Sequence, residues 1–150
     1  FLLNNELTDF SFESHRNGKS IANKVEGNKR PRSSMAPTII FKNERPFLVI
    51  GSPGGSRIIG YVAKSIISII DWDMLPSEAI NSRHIVAKGS TLEIEDKPIS
   101  GLDELKLSLE EIGNLVKIRE LNSGLHAIKI NSDGFRAGID KRREGLALGD

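Results

Sequence analysis

Three short stretches of this chain gather groups that could handle charge. The first is Gly51-Ser52-Pro53-Gly54-Gly55-Ser56-Arg57, which follows the apolar run Phe47-Leu48-Val49-Ile50 and opens into a helical pattern from Arg57 to Ile70. Glycine at such a junction lets another molecule approach the backbone, and the N–H groups at a helix start carry partial positive charge. The stretch therefore suits a negative or developing-negative oxygen. It lacks the Lys-Ser/Thr that a nucleotide P-loop needs after its last glycine, and its glycines are not spaced as in a dinucleotide fingerprint. An oxyanion hole built from the Gly54 and Gly55 amides and a plain strand-to-helix turn both fit.

The second stretch is Ser33-Ser34, set between the basic run Lys29-Arg30-Pro31-Arg32 and Pro37. Two adjacent hydroxyls can grip a carboxylate or phosphate oxygen, or bond to local backbone. The third is the pair Glu6 and Asp9, three residues apart in a polar turn. Paired carboxylates can hold a cationic amine, serve as acid and base, or simply face solvent. The remaining candidates are poorer. His15, His84 and His126 are scattered without metal-ligand spacing and read as surface or satisfied core histidines. Ser52 and Ser56 are not in the Gly-x-Ser-x-Gly setting of a nucleophile elbow, and no Ser/His/Asp triad is visible. With no cysteine in the chain, disulfides, thiolate nucleophiles and cysteine metal sites are excluded. No cofactor is implied.

The elements that must position these groups can be read from periodicity. Phe1 to Leu3 reads as a strand already in progress, Asn4 to Asp9 as a polar turn, and Ser11 to Arg32 as a long loop. Thr38–Phe41 and Phe47–Ile50 form a hairpin whose nearly continuous apolar runs predict burial of both faces. Ile58, Ile59, Val62, Ala63, Ile66, Ile67 and Ile70 recur at helical spacing, and their β-branched side chains mean that packing must hold the helix. A short helix follows from Pro76 to about Asn81. Thr91–Glu95 is a strand. Gly101–Ile112 is an amphipathic helix with Leu102, Leu105, Leu109 and Ile112 inward, stopped by Gly113. Leu115–Glu120, Leu125–Ile130 and Phe135–Ile139 are strands, the last two joined by Asn131-Ser132-Asp133-Gly134. Hairpins mixed with segregated helices predict an α+β fold, with helices layered on sheet, in one domain over residues 1–150.

Bulk properties agree with a globular chain. Of 150 residues, 38% are apolar and 27% charged, and 21 basic against 20 acidic side chains leave a net charge of +1. That balance argues for neither nucleic acid nor a membrane surface as partner, and the basic clusters Lys29–Arg32 and Lys141–Arg143 read as solvated loops. No apolar run reaches the roughly 18 to 20 residues of a membrane span.

Taken together and in order, Leu3-Asn4-Asn5-Glu6-Leu7-Thr8-Asp9-Phe10, Asn28-Lys29-Arg30-Pro31-Arg32-Ser33-Ser34-Met35-Ala36-Pro37-Thr38, Gly51 to Arg57, and Asn122-Ser123-Gly124-Leu125-His126-Ala127-Ile128 resemble the small, catalytic subunit of the γ-glutamyltranspeptidase family. The resemblance implies an N-terminal-nucleophile hydrolase fold, an αββα sandwich of which this chain is the small-subunit portion. It implies a precursor that cleaves itself to expose a threonine. That hydroxyl attacks the γ-glutamyl amide of glutathione or a related donor, and the acyl group passes to water or to an amino acid or peptide acceptor. Glu6 and Asp9 would bind the donor's α-ammonium, Ser33 and Ser34 its α-carboxylate, and the Gly54 and Gly55 amides the oxyanion. The large subunit of the same precursor is the implied partner, and a periplasmic or extracellular location is implied as well.

Three departures stand out. The nucleophile and its neighbours would precede Phe1, so the chain reads as an inactive fragment of a longer protein. The 11–27 loop is short and lacks the tyrosine expected of a full lid. Lys141 replaces a common proline. A glutaryl or cephalosporin acylase of the same family is the nearest alternative, although its donor has no α-ammonium for Glu6 and Asp9 to hold. A non-catalytic anion-binding module built on the Gly51–Arg57 stretch is the alternative of a different kind.

Overall fold

The computed structural model describes residues 4–98 and 100–149, and the strand expected at Phe1–Leu3 lies outside them. The chain divides into two compact units, residues 1–34 and 35–150.

In the first unit the polar turn is one turn of 3-10 helix, Glu6–Asp9. The stretch read as a loop contains a small antiparallel hairpin, β1 (His15–Arg16) and β2 (Lys19–Ser20). Its turn residues, Asn17 and Gly18, have φ of 51° and 73°. Positive φ at both centres is what a two-residue hairpin of right-handed twist requires, and Asn-Gly is the pair that tolerates it best.

Among the described residues the second unit holds two sheets and three α-helices. Strands β3 (Thr38–Lys42), β4 (Arg45–Gly51), β8 (His126–Asn131) and β9 (Gly134–Ile139) form an antiparallel sheet in the order β3-β4-β8-β9. A 3-10 turn, Gly55–Arg57, leads from β4 into α1 (Ile58–Ile70), and α2 (Pro76–Asn81) follows. Strands β5 (Ile85–Lys88), β6 (Thr91–Glu95) and β7 (Val116–Arg119) make a three-stranded sheet. There β6 and β7 are parallel, connected through α3 (Leu102–Glu111). The fold is α+β, with hairpins dominant and this one parallel pair. Strand β5 is an addition to the sequence reading.

Leu48, Ile50 and Ala127 of the four-stranded sheet pack with Ile58, Tyr61, Val62 and Ile69 of α1 and with Ala79 and Ile80 of α2. Gly138 allows the close approach of α2, because a Cβ there would sit 2.5 Å from the Pro76 carbonyl carbon. The inward arc of α1 is Ile58, Tyr61, Val62, Ser65, Ser68 and Ile69, while Ile59, Ile67 and Ile70 stay exposed. The isoleucine stripe therefore does not mark the buried face. This helix is apolar most of the way round, so spacing alone cannot choose the arc. On α3, Leu102, Leu105 and Leu109 are half-buried, but Ile112 lies past the helix end and is exposed.

One face of the larger sheet carries a row of exposed apolar side chains. Register places Ile39, Val49, Ile128 and Ala137 in a single row across β3, β4, β8 and β9, and all four are exposed. The prediction that both faces of the β3–β4 hairpin are buried is not met within this chain. No helix among the described residues is long and apolar enough to cross a membrane.

Candidate active site

The Gly51–Arg57 stretch turns the chain from the end of β4 into α1. Gly54 (φ 139°) caps the 3-10 turn and Gly55 (φ 57°) begins it, positions whose N–H groups have no partner within the helix. The Arg57 N–H bonds back to the Gly54 carbonyl at 3.3 Å. Both glycines need their conformation, but their surroundings differ. A Cβ on Gly54 would lie 2.7 Å from the Tyr61 ring, whereas one on Gly55 would meet nothing within 4 Å. The turn is thus packed on one side and open on the other. No acidic side chain occupies the first turn of α1, so the positive end of its dipole is uncompensated. A groove of about 400 Å³ runs beside the turn, walled in part by Gly51, Ser52, Pro53, Gly124 and His126.

A buried polar network underlies the packed side. The Tyr61 ring meets the His84 ring with centroids 4.4 Å apart. His84 Nε2 is 2.7 Å from Ser123 Oγ, and Ser123 donates its hydroxyl proton to Asp140 Oδ2. Because a hydroxyl has one proton, His84 must be the donor to Ser123, which fixes the neutral tautomer with Nδ1 bare. That Nδ1 has no partner among the described residues. Burial, with help from the nearby Arg142 charge, lowers the His84 pKa to about 3.

The Leu125 N–H also bonds Asp140, and Arg142 joins Asp140 (2.9 Å) to Glu95 (2.7 Å). Burial alone would raise both carboxyls. Hydrogen bonds from Ser123 and Arg142 to Asp140, and from Arg142 and the His84 amide to Glu95, hold both below their ordinary values. The structure thus gathers a serine, a histidine and an aspartate that look unrelated in sequence. The serine, however, sits in the middle and is buried with its proton spent on the carboxylate. This is scaffolding, not a nucleophile with its base. The network touches the glycine turn through Gly124, whose N–H reaches Ser52 Oγ at 3.3 Å.

In the first unit, Glu6 is half-buried and Asp9 exposed on the same 3-10 turn, while Ser33 is exposed and Ser34 half-buried. One residue that sequence reasoning passes over connects these two segments. The Asn23 side-chain amide donates to the Asp9 carbonyl (2.7 Å) and accepts from the Arg32 N–H (2.9 Å), and the Asn23 carbonyl accepts from the Ser11 N–H (2.8 Å). A lone Asn in a polar loop gives no warning of that role. The neighbouring Lys29 is engaged with Glu26 at 2.6 Å and with the Ala22 carbonyl. Glu6, Asp9, Ser33 and Ser34 thus belong to the first unit, and Gly54 and Gly55 to the second. No group of three or more His, Asp or Glu that could hold a metal occurs among the described residues.

A helix-backed antiparallel sheet delivers the diglycine turn to a helix start, and the α+β fold is that of solved gamma-glutamyltranspeptidases, which are N-terminal-nucleophile hydrolases. A solved structure of a mutant Helicobacter pylori gamma-glutamyltranspeptidase shares it, at 37% identity and a TM-score of 0.79 over 95% of this chain and 82% of that one. The family model for gamma-glutamyltranspeptidase matches residues 1–149, and the chain belongs to that family. It is 37% identical to the glutathione hydrolase proenzyme of Bacillus subtilis over 99% of its length, and 37% identical to that of Escherichia coli over 95%. The chain spans about a quarter of the length of these two relatives, 24% and 25%.

Proposed function

We propose that this chain supplies the donor clamp and oxyanion hole of an enzyme that removes the γ-glutamyl group from glutathione and similar amides. Glu6 and Asp9 hold the α-ammonium of the donor. Ser33 and Ser34 hold its α-carboxylate. The attacking hydroxyl is the family's N-terminal threonine, supplied from outside residues 1–150. Its oxygen bonds to the γ-carbonyl carbon, and its proton passes to the threonine's own amine. The carbonyl oxygen gathers negative charge and is met by the Gly54 and Gly55 amides. The C–N bond then breaks, the leaving amine takes the proton, and water or an acceptor amine resolves the ester.

The observation that carries this reading is the Gly54–Gly55 turn at the start of α1, closed by Tyr61 on one side and open on the other. The exposed apolar row Ile39–Val49–Ile128–Ala137 supports a partner layer, which we assign to the large subunit of the same precursor. A location outside the cytoplasm follows from the family resemblance alone, and cell fractionation tests it.

The test is Glu6→Ala and Asp9→Ala in the full-length protein, assayed with a chromogenic γ-glutamyl anilide and with the matching glutaryl anilide, which lacks the α-ammonium. We expect γ-glutamyl kcat/KM to fall at least about tenfold, the scale of a lost charge-assisted bond, with little effect on glutaryl turnover. Equal loss on both substrates removes the clamp assignment, and a parent protein that prefers the glutaryl donor points to an acylase.

A further inference from the structure

The two residues that follow the glycine pair, Ser56 and Arg57, are held by the small sheet. Arg57 lies three residues after Gly54 and caps α1. Its guanidinium reaches across to Glu93 on β6, with Nε to Oε2 at 2.6 Å and Nη2 to Oε1 at 3.1 Å. Two parallel N–H···O bonds fix the plane of the guanidinium as well as its distance. The Glu93 side chain is only 4% exposed and takes a second cation, Arg119 Nε, at 3.2 Å. Strand β6 is the central strand of its sheet, bonded to β5 and β7, so the carboxylate is mounted on a rigid element. From β5, Lys88 donates to the hydroxyl of Ser56, the residue between Gly55 and Arg57.

We propose that Glu93 is a positioning residue for the Gly54–Gly55 oxyanion turn, acting through the bidentate bond to Arg57. The proposal rests on the oxyanion reading of that turn. A buried carboxylate between two arginines is an expensive way to gain stability, because the desolvation of the ions consumes most of their attraction. What it supplies is direction: one guanidinium orientation, hence one setting of the helix cap and of the carbonyl and amides just before it. Oxyanion donors act within a narrow range of distance, so a turn free to shift by an ångström would lose most of its effect. Arg119 makes the informative control. It shares the same carboxylate from β7, but among the described residues it bonds neither the turn itself nor Arg57.

The experiment measures kcat and KM for a γ-glutamyl anilide in the full-length protein, per mole of processed enzyme. Glu93→Gln and Arg57→Lys are expected to lower kcat about 10- to 100-fold with donor KM within about twofold, since neither residue belongs to the donor clamp. Arg119→Lys is expected to stay within about twofold in both. If Glu93→Gln keeps the parental kcat, the proposal is overturned. If Arg119→Lys falls as far as Arg57→Lys, it is also overturned, because the loss then belongs to the burial of Glu93 and not to the turn. Should Glu93→Gln fail to fold, the Arg57→Lys and Arg119→Lys pair carries the comparison unaided. Gly54→Ala keeps its N–H but, with a Cβ 2.7 Å from the Tyr61 ring, must displace the turn, and so separates the two levels. A low kcat in Gly54→Ala beside normal Glu93→Gln retains the oxyanion reading and discards the positioning role. A normal kcat in Gly54→Ala discards both.

Discussion

Asn23 shows how much of a candidate site can depend on a residue that does no chemistry. Its side chain bonds the backbone of Asp9 at one end and of Arg32, next to Ser33, at the other. Neither bond involves a charge, so its worth is geometric. Asn23→Ala frees two backbone groups that water can reach and loosens the acidic turn from the serine segment. We expect the donor KM of the full-length protein to rise about three- to tenfold, the equivalent of about one neutral hydrogen bond, with kcat nearly unchanged. Steady-state kinetics with a γ-glutamyl anilide check this, and a fall in kcat at constant KM would refute it. The candidate residues could be picked out of the sequence by type, but their roles came only with the family resemblance. Asn23 could not be, because a polar side chain in a loop has the same local signature whether it bridges segments or faces water.

At the scale of elements, the glycine turn is held by structures distant in the chain. The loop at Asn122–Gly124, the end of β9 and the tail at Arg142 meet under α1 through Ser123, Asp140 and His84. Ser123→Ala removes the shared hydroxyl and leaves both His84 Nε2 and Asp140 short of a partner in a buried setting. A destabilisation of about 2–3 kcal/mol is expected, measurable as a lower midpoint of denaturant unfolding of the full-length protein at unchanged slope. A shift below 0.5 kcal/mol would mean that the bonds are readily replaced. The helices and the strands of the larger sheet were readable from apolar spacing and apolar runs, although which faces they bury was not. The β1–β2 hairpin is short, yet its Asn17-Gly18 signal was present in the sequence. The buried arc of α1 was not readable, because isoleucine occurs on both sides and two of the inward positions are Ser65 and Ser68.

For the molecule as a whole, buried ionisable groups set the response to acid. His84 titrates near 3 when folded, against an ordinary value of 6.5. A base whose folded pKa is depressed stabilises the fold fully above its unfolded value and loses that contribution as pH falls towards the folded one. Asp140 and Glu95, also depressed, add losses of the same sign at lower pH. Thermal unfolding should therefore shift downward as pH drops below about 6.5. His84→Gln should flatten the curve between about pH 6.5 and 5, before the carboxylates contribute. An unaltered slope in that variant would remove His84 as the cause.

The sequence by itself determined the chemical inventory and the family. Residue types and order are local properties, and the ordered run of motifs marks the family without coordinates. Only the tertiary structure decided what supports that inventory: Glu93 beneath Arg57, Tyr61 against Gly54, and a histidine, serine and aspartate used as scaffold. Those choices depend on packing and on desolvation between residues far apart in the chain, 39 positions for His84 and Ser123, and a linear pattern carries no record of either.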